Sequence, residues 1–250
     1  MNATTMEKMR KMKFFGMYRS FKMTMESGKQ ESYTADEMVA HLIDAEWDER
    51  QNRSIEQKIK NARFRYKAAI EDLYYNTDRN IDKNQIMRFA RCVFIEKNEN
   101  ILITGSTGIG KSYIASALGY QACSMGYKVM YQNVPKLLSK LKMAKADGSY
   151  IKELAKIERM NLLILDDFGI QPFDAQNRAA LMEIIEDRHG KGSIIITSQV
   201  PVNKWYEIIG EKNIADAILD RISLHESHRI ELKGESLRKK RHNDPQLIEN

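Results

Sequence analysis

In the N-terminal part of the chain, apolar side chains recur every three or four residues, which is typical of amphipathic helices. One helix is predicted to start at Thr34, because Glu37 follows three residues later as in a capping box. Further helices are predicted from Ile55 to Leu73 and from Ile86 to Phe94. The first 76 residues are therefore predicted to form a small all-α domain.

From about residue 100 the pattern changes to short apolar runs that alternate with helical stretches. Strands alternating with helices predict an α/β domain, residues 77–250, in which a five-stranded parallel sheet lies between helices. Ligands of such sheets bind beyond the carboxyl ends of the strands. The five candidate strands are residues 101–104, 128–132, 161–165, 193–197 and 228–232.

A glycine-rich segment follows the first of these strands and precedes a helical stretch. Its spacing matches the phosphate-binding loop of nucleoside triphosphatases, in which backbone N–H groups surround phosphate oxygens. Lys111 is predicted to reach the β- and γ-phosphates, and the Ser112 hydroxyl is predicted to ligate Mg²⁺. The predicted nucleotide-binding residues are Gly105, Ser106, Thr107, Gly108, Ile109, Gly110, Lys111 and Ser112.

Two other candidate strands end in polar side chains. The run Leu162–Leu165 ends at Asp166 and Asp167, about fifty residues after the glycine-rich loop. Asp166 is the expected Mg²⁺ partner, and Asp167 is expected to orient or deprotonate the attacking water. The strand at 193–197 leads to Ser198 and Gln199, either of which could hold that water if this strand lies between the other two.

The composition sets broader limits. The chain has 250 residues with a net charge of +6, which suits a polyanionic partner without proving one. Basic residues cluster in segments 1–22, 50–67 and 233–241. No apolar run approaches the roughly 20 residues of a membrane span. Cys92 and Cys123 fit no zinc spacing, so a reduced, cytoplasmic location is expected.

Several motifs occur together along the chain. They are Asp44-Ala45-Glu46 with Arg50, the loop Gly105–Ser112, Leu165-Asp166-Asp167-Phe168-Gly169, Thr197-Ser198-Gln199 with Trp205, Asp216-Ala217-Ile218-Leu219-Asp220-Arg221, and Leu232–Arg238. In this combination nearly the whole chain resembles the IstB family of transposition helper ATPases. These AAA+ proteins are relatives of the DnaC bacterial helicase loader.

The resemblance implies a function and further site residues. It implies an AAA+ core without a large lid, ATP as the nucleotide, and homo-oligomers that assemble on and bend double-stranded DNA. Such proteins deliver the DNA to a transposase and stimulate it. Arg221 matches the arginine that is supplied to the ATP of a neighbouring subunit, and Arg238 takes a late phosphate-sensing position. The water-positioning residue is usually Asn, where this chain has Gln199 with Ser198 as the rival.

A helical stretch between the second and third strands is the candidate DNA contact. It runs from Pro135 to Lys145 and carries lysines along an amphipathic helix. In the related initiator proteins a helical insertion at this place lines the central channel. Sequence-neutral, salt-sensitive phosphate contacts are therefore expected from Lys136, Lys140, Lys142 and Lys145.

Two other functions share parts of this pattern. A helicase loader would use the same ATPase site, recognise a replicative helicase through residues 1–75 and favour single-stranded DNA. A monomeric small-molecule kinase of the phosphate-loop group would neither bind DNA nor need Arg221.

Overall fold

The computed structural model describes residues 2–28, 32–75, 79–224 and 227–237. The chain forms two compact units, Met1–Gln57 and Lys58–Asn250, where the sequence predicted a division at residue 76. The second unit begins earlier because apolar side chains between positions 64 and 73 pack into its core. Within the described ranges, no helix has the length and apolarity that crossing a bilayer requires.

The N-terminal unit is helical. Its helices are α1 (Asn2–Lys11), α2 (Phe15–Glu26) and the greater part of α3 (Ala35–Ala62). The predicted capping box is confirmed, since the Thr34 N–H donates to Glu37 Oε2 at 2.8 Å and the Glu37 N–H donates to Thr34 Oγ1 at 3.3 Å.

The predicted helix from Ile55 to Leu73 is wrong beyond residue 62. Residues 35–62 form one continuous helix, and Arg63 then adopts a left-handed conformation with φ 58°. A left-handed residue directly after a helix is a common way for it to end. The apolar spacing after this point instead places Ala68 and Leu73 in the core of the second unit.

A buried carboxylate holds the start of α2. Glu46 Oε2 accepts hydrogen bonds from the N–H groups of Gly16 at 2.8 Å and Met17 at 3.2 Å, and Arg50 pairs with its other oxygen at 2.8 Å. A negative charge at a helix N-terminus satisfies free N–H groups and the helix dipole. Gly16 is required because a Cβ there would lie 2.2 Å from the carbonyl oxygen of Ala45.

The second unit contains the predicted parallel sheet. Its strand order is β2-β3-β4-β1-β5, and every described pair of neighbouring strands is parallel. The strand that ends at Ser198 therefore lies between the other two strands of the predicted site. The strands are β1 (Asn100–Gly105), β2 (Val129–Asn133), β3 (Leu162–Phe168), β4 (Ser193–Ser198) and β5 (Ser227–Leu232).

Successive strand residues face opposite sides of the sheet, and both sides are covered by helices. Ile101 and Ile103 pack in one core and Leu102 in the other. The helix predicted from Ile86 to Phe94 is interrupted by Cys92 at φ 58°. The helices are α4 (Lys83–Ala90), α5 (Val93–Glu96), α6 (Lys111–Ser124), α7 (Val134–Asp147), α8 (Tyr150–Glu158), α9 (Ala175–Arg188), α10 (Trp205–Ile209) and α11 (Lys212–Leu219).

Candidate functional site

The glycine-rich loop joins β1 to α6 at the carboxyl edge of the sheet. All three of its glycines have backbone conformations that other residues rarely adopt, with φ 148° at Gly105, φ 78° at Gly108 and φ 101° at Gly110. A Cβ on Gly105 would also lie 2.6 Å from the backbone oxygen of Leu232. The loop therefore leads directly into the N-terminus of α6, where free N–H groups favour an anion.

Five of the eight predicted loop residues line one cavity of about 510 Å³. Lys111 is buried, and its Nζ donates to the carbonyl oxygens of Gly105 at 2.7 Å and Ser106 at 2.8 Å. Ile109 is fully buried in the core, so it anchors the loop through its side chain. The cavity is lined from this side by Thr107, Gly108, Gly110, Lys111 and Ser112.

Asp166 lies at the end of β3 and is fully buried. Its Oδ1 accepts from Ser112 Oγ at 2.7 Å and from the Thr197 hydroxyl, and its Oδ2 accepts from the Tyr131 hydroxyl. Burial, with the nearby Asp166 charge, raises the pKa of Tyr131, which stays a neutral donor. A hydroxyl beside a carboxylate is an oxygen donor set that suits Mg²⁺.

Asp167 turns toward the cavity because β3 is irregular there. The pairing with β4 gains one residue between Leu165 and Phe168, and Asp167 takes φ 63°. Such bulges redirect side chains beside active sites. Asn133 Nδ2 donates to Asp167 Oδ2 at 2.9 Å, and the Asp167 N–H donates to the Thr197 hydroxyl at 3.2 Å. In the described residues, no three His, Cys, Asp or Glu side chains are grouped so as to hold a metal alone.

Ser198 and Gln199 have different surroundings. Ser198 is fully buried; its Oγ donates to the Phe168 carbonyl at 2.7 Å and accepts from the Val200 N–H at 3.0 Å. Gln199 is exposed and lines the cavity, where its Oε1 accepts from Thr107 Oγ1 at 2.6 Å. The geometry therefore favours Gln199 over Ser198 as the residue that can contact a ligand.

A family model described as IstB-like ATP binding protein matches residues 7–244 of the chain. The chain belongs to this family. It is 40% identical over 235 residues to the insertion sequence ATP-binding protein y4pL of Sinorhizobium fredii, covering 94% of this chain and 96% of the relative. It is 35% identical over 202 residues to the insertion sequence IS1162 ATP-binding protein of Pseudomonas fluorescens, covering 80% of this chain and 87% of the relative.

Solved structures agree with the AAA+ fold of this IstB-family chain. The crystal structure of DnaI matches with a TM-score of 0.59 and 23% identity, and the match covers 67% of this chain and 92% of that chain. Because the sequence identity is below 25%, this similarity supports the fold alone.

Arg221 of this IstB-family chain lies far from its own phosphate loop. Its carbonyl oxygen accepts from the Asn100 side chain at 3.4 Å, which places it at the amino end of β1. Its guanidinium pairs with Glu186 Oε2 at 2.7 Å and donates to the Ala217 carbonyl at 2.9 Å. The geometry separates Arg221 from Lys111 by the length of a strand. Arg238, the other predicted arginine, lies outside the described residues.

The four predicted DNA-contacting lysines are all exposed on α7, whose leucines at 137, 138 and 141 are buried. Lys140 pairs with Glu153 of α8, and Lys145 Nζ lies 4.5 Å from the centre of the Tyr150 ring. Within the described residues, the side chains of Lys136 and Lys142 form no hydrogen bond or ion pair. These two are therefore the most available to phosphate.

The structure adds site residues to which the sequence analysis gave no role. Tyr131 and Thr197 hold Asp166; Thr197 belongs to the motif Thr197-Ser198-Gln199, whereas the only sequence signal for Tyr131 was its place near the end of a buried strand. Arg79 is buried against the loop, where its guanidinium donates to the carbonyls of Tyr74, at 2.6 Å, and Ile109. Burial lowers the pKa of Arg79.

Arg65 is the other unexpected site residue. The sequence placed it in the basic cluster 50–67, a candidate for nucleic acid. Its Nη1 instead lies 3.3 Å from Asp166 Oδ2 and 3.2 Å from Asp167 Oδ2. Nothing in the local sequence distinguishes it from Arg63, because its partners are about a hundred residues away along the chain.

Proposed function

We propose that this protein is a Mg²⁺-dependent ATPase that assembles on duplex DNA, bends it, and recruits and stimulates a transposase. Membership of the IstB-like family and the insertion-sequence ATP-binding relatives support this proposal. One structural observation carries its chemical part: Lys111, Ser112 and Asp167 line one cavity at the carboxyl edge of the sheet, and the buried Asp166 accepts a hydrogen bond from Ser112.

Each of these residues has a role that follows from its position. Lys111 neutralises phosphate charge, and Ser112 with Asp166 holds Mg²⁺. Mg²⁺ keeps several of its waters and is bound by few protein ligands, so this small donor set is sufficient. Asp167 faces the cavity, where it either orients the attacking water or accepts its proton. Gln199, fixed by Thr107, positions that water from the neighbouring strand.

Hydrolysis is completed by a second copy of the chain. Arg221 lies at the opposite end of the sheet from its own loop, so it is available to the ATP of a neighbouring subunit. A guanidinium supplied in this way neutralises charge that develops on the γ-phosphate. Head-to-tail contacts of this kind generate rings or helical filaments, and either can follow DNA.

DNA contact is assigned to the exposed face of α7. Lys136 and Lys142 point away from the leucines that fix this helix to the core. Lysine contacts to phosphate are independent of sequence and weaken with salt. Bending of the DNA is then favoured at deformable sequences, although the protein makes no base-specific contacts.

The first experiment is sedimentation of the full chain with ATP or ADP, on a duplex of several helical turns or on the matching single strand. A large complex that forms only with ATP and duplex is expected. A preference for single strand would instead favour a helicase loader. A monomer that ignores DNA in every nucleotide state would refute the proposal and leave a small-molecule kinase.

The lysine assignment has its own test. The double variant Lys136→Ala/Lys142→Ala is expected to reduce the slope of log affinity against log salt by about 0.9 for each phosphate that the lysines neutralise. The single variant Lys97→Ala alters an exposed lysine near the amino end of β1 and is the matched control. An unchanged slope in the double variant would remove these lysines from the DNA interface.

A further inference from the structure

Arg65 bridges the two carboxylates of the ATP site with a single nitrogen. Its Nη1 lies 3.3 Å from Asp166 Oδ2 and 3.2 Å from Asp167 Oδ2. The side chain of Arg65 is 43% exposed, whereas Asp166 is fully buried and Asp167 is 20% exposed. The guanidinium therefore covers the two carboxylates from the cavity side, where it lines the wall together with Lys111 and Ser112.

Arg65 is the only cation among the described donors to Asp166. The other donors to this carboxylate are neutral hydroxyl groups, which belong to Ser112, Thr197 and Tyr131. A buried carboxylate is costly unless it is paired with a positive charge. Arg65 thus supplies a positive charge to Asp166, the carboxylate that would also hold the proposed Mg²⁺.

The carboxylates are held by the sheet, whereas the arginine lies outside it. Asp166 and Asp167 belong to β3, which is paired on both sides, and Asn133 also holds Asp167 at 2.9 Å. Arg65 follows the end of α3 in a segment that is neither helix nor strand. Its long side chain can leave the carboxylates without disturbing the sheet.

We propose that Arg65, which pairs with both carboxylates, competes with Mg²⁺ for Asp166 and so sets the Mg²⁺ concentration at which the site binds nucleotide. This inference rests on the proposed function, because it concerns the same Mg²⁺ and ATP. Two cations beside one carboxylate repel each other, so each weakens the binding of the other. Arg65 is a positioning residue in this scheme, since it acts through the carboxylates.

The test measures nucleotide binding and needs no turnover. A fluorescent ATP analogue is held at fixed concentration with the full chain, and Mg²⁺ is titrated to find the half-saturating concentration. Arg65→Gln keeps hydrogen-bonding groups but removes the charge. It is expected to lower the half-saturating Mg²⁺ roughly two- to fivefold, the upper part of the range for the removal of one partly exposed ion pair.

Two further variants separate this effect from general changes. Arg63→Gln removes a positive charge two residues away in the same segment, from a side chain that does not line the cavity and, within the described part of the chain, forms no ion pair with these carboxylates. It is expected to keep the wild-type Mg²⁺ requirement. Arg65→Lys keeps the charge and is expected to stay within about twofold of the wild type. Thermal unfolding monitored by circular dichroism checks that each variant is folded.

The other outcomes are distinct. If Arg65→Gln lowers nucleotide affinity equally with Mg²⁺ and with EDTA, Arg65 is a phosphate ligand and the competition is refuted. An unchanged Mg²⁺ requirement in folded Arg65→Gln refutes it as well, while Mg²⁺-dependent binding by the wild type would leave the proposed function intact. If the wild type binds the analogue under none of these conditions, both proposals fall.

Discussion

Replacement of Arg221 by alanine tests whether the ATPase site is completed by a second subunit. Arg221 lies beside Asn100, the first residue of β1, and the phosphate loop begins at Gly105, the last residue of that strand. Five residue steps of about 3.3 Å separate these ends by roughly 16 Å. That distance exceeds the length of an arginine side chain, so Arg221 cannot reach the nucleotide of its own subunit.

The expected loss of hydrolysis is large and selective. Removal of an arginine finger lowers the rate by about 10³- to 10⁵-fold. Binding of the nucleotide to the same subunit should change little, because Lys111, Ser112 and Asp166 are untouched. We therefore expect Arg221→Ala to bind a fluorescent ATP analogue with near wild-type affinity and to release almost no phosphate.

A mixing assay identifies the subunit that supplies the arginine. Asp167→Asn is expected to bind ATP but not to activate water, while it keeps its own Arg221. In a random equal mixture with Arg221→Ala, about a quarter of the head-to-tail sites combine an intact loop with an intact neighbouring arginine. Phosphate release should therefore recover to roughly that fraction of the wild-type rate on DNA.

The control addresses the structural contacts of Arg221. Glu186→Ala removes the ion pair at 2.7 Å but leaves the arginine in place. It should retain most of the hydrolysis if Arg221 acts on a neighbour. No recovery in the mixture, or an equal loss in Glu186→Ala, would show that Arg221 serves the stability of its own subunit.

Three other predictions follow from contacts in the structure. Gln199→Ala should lower the rate of phosphate release about 10²-fold without loss of stability. Ser198→Ala should instead lower the free energy of urea unfolding by about 1–3 kcal/mol. The opposite pattern in these two assays would exchange the roles of the two residues. Gly16→Ala should cost the N-terminal unit about 1–3 kcal/mol because its Cβ meets a backbone carbonyl, and an unchanged urea midpoint would contradict this. Burial raises the pKa of Cys92 to about 11 and that of Cys123 to about 12, so thiolate is disfavoured and neither should react with a thiol reagent in mildly alkaline buffer until the chain unfolds.

The strands and the glycine-rich loop could be predicted because their signals are local. Three or four consecutive apolar residues between polar ones mark β1 to β4, and such a run predicts a buried strand wherever the strand lies in the sheet. The loop from Gly105 to Ser112 carries its own geometry, since its glycines and its helix start are adjacent in sequence. The prediction of a helix up to Leu73 was wrong, because apolar residues at helical spacing also suit an irregular segment that packs on a sheet.

The sequence by itself determined that this chain has an α/β core with a phosphate-binding loop, and it predicted which side chains line the site at the carboxyl edge of the sheet. Only the tertiary structure decided how they are arranged. The order β2-β3-β4-β1-β5 places Gln199 beside the loop, the irregularity in β3 turns Asp167 into the cavity, and Arg65 reaches both carboxylates from about a hundred residues away. Pairing between distant segments depends on packing across the whole core, and no local pattern records it.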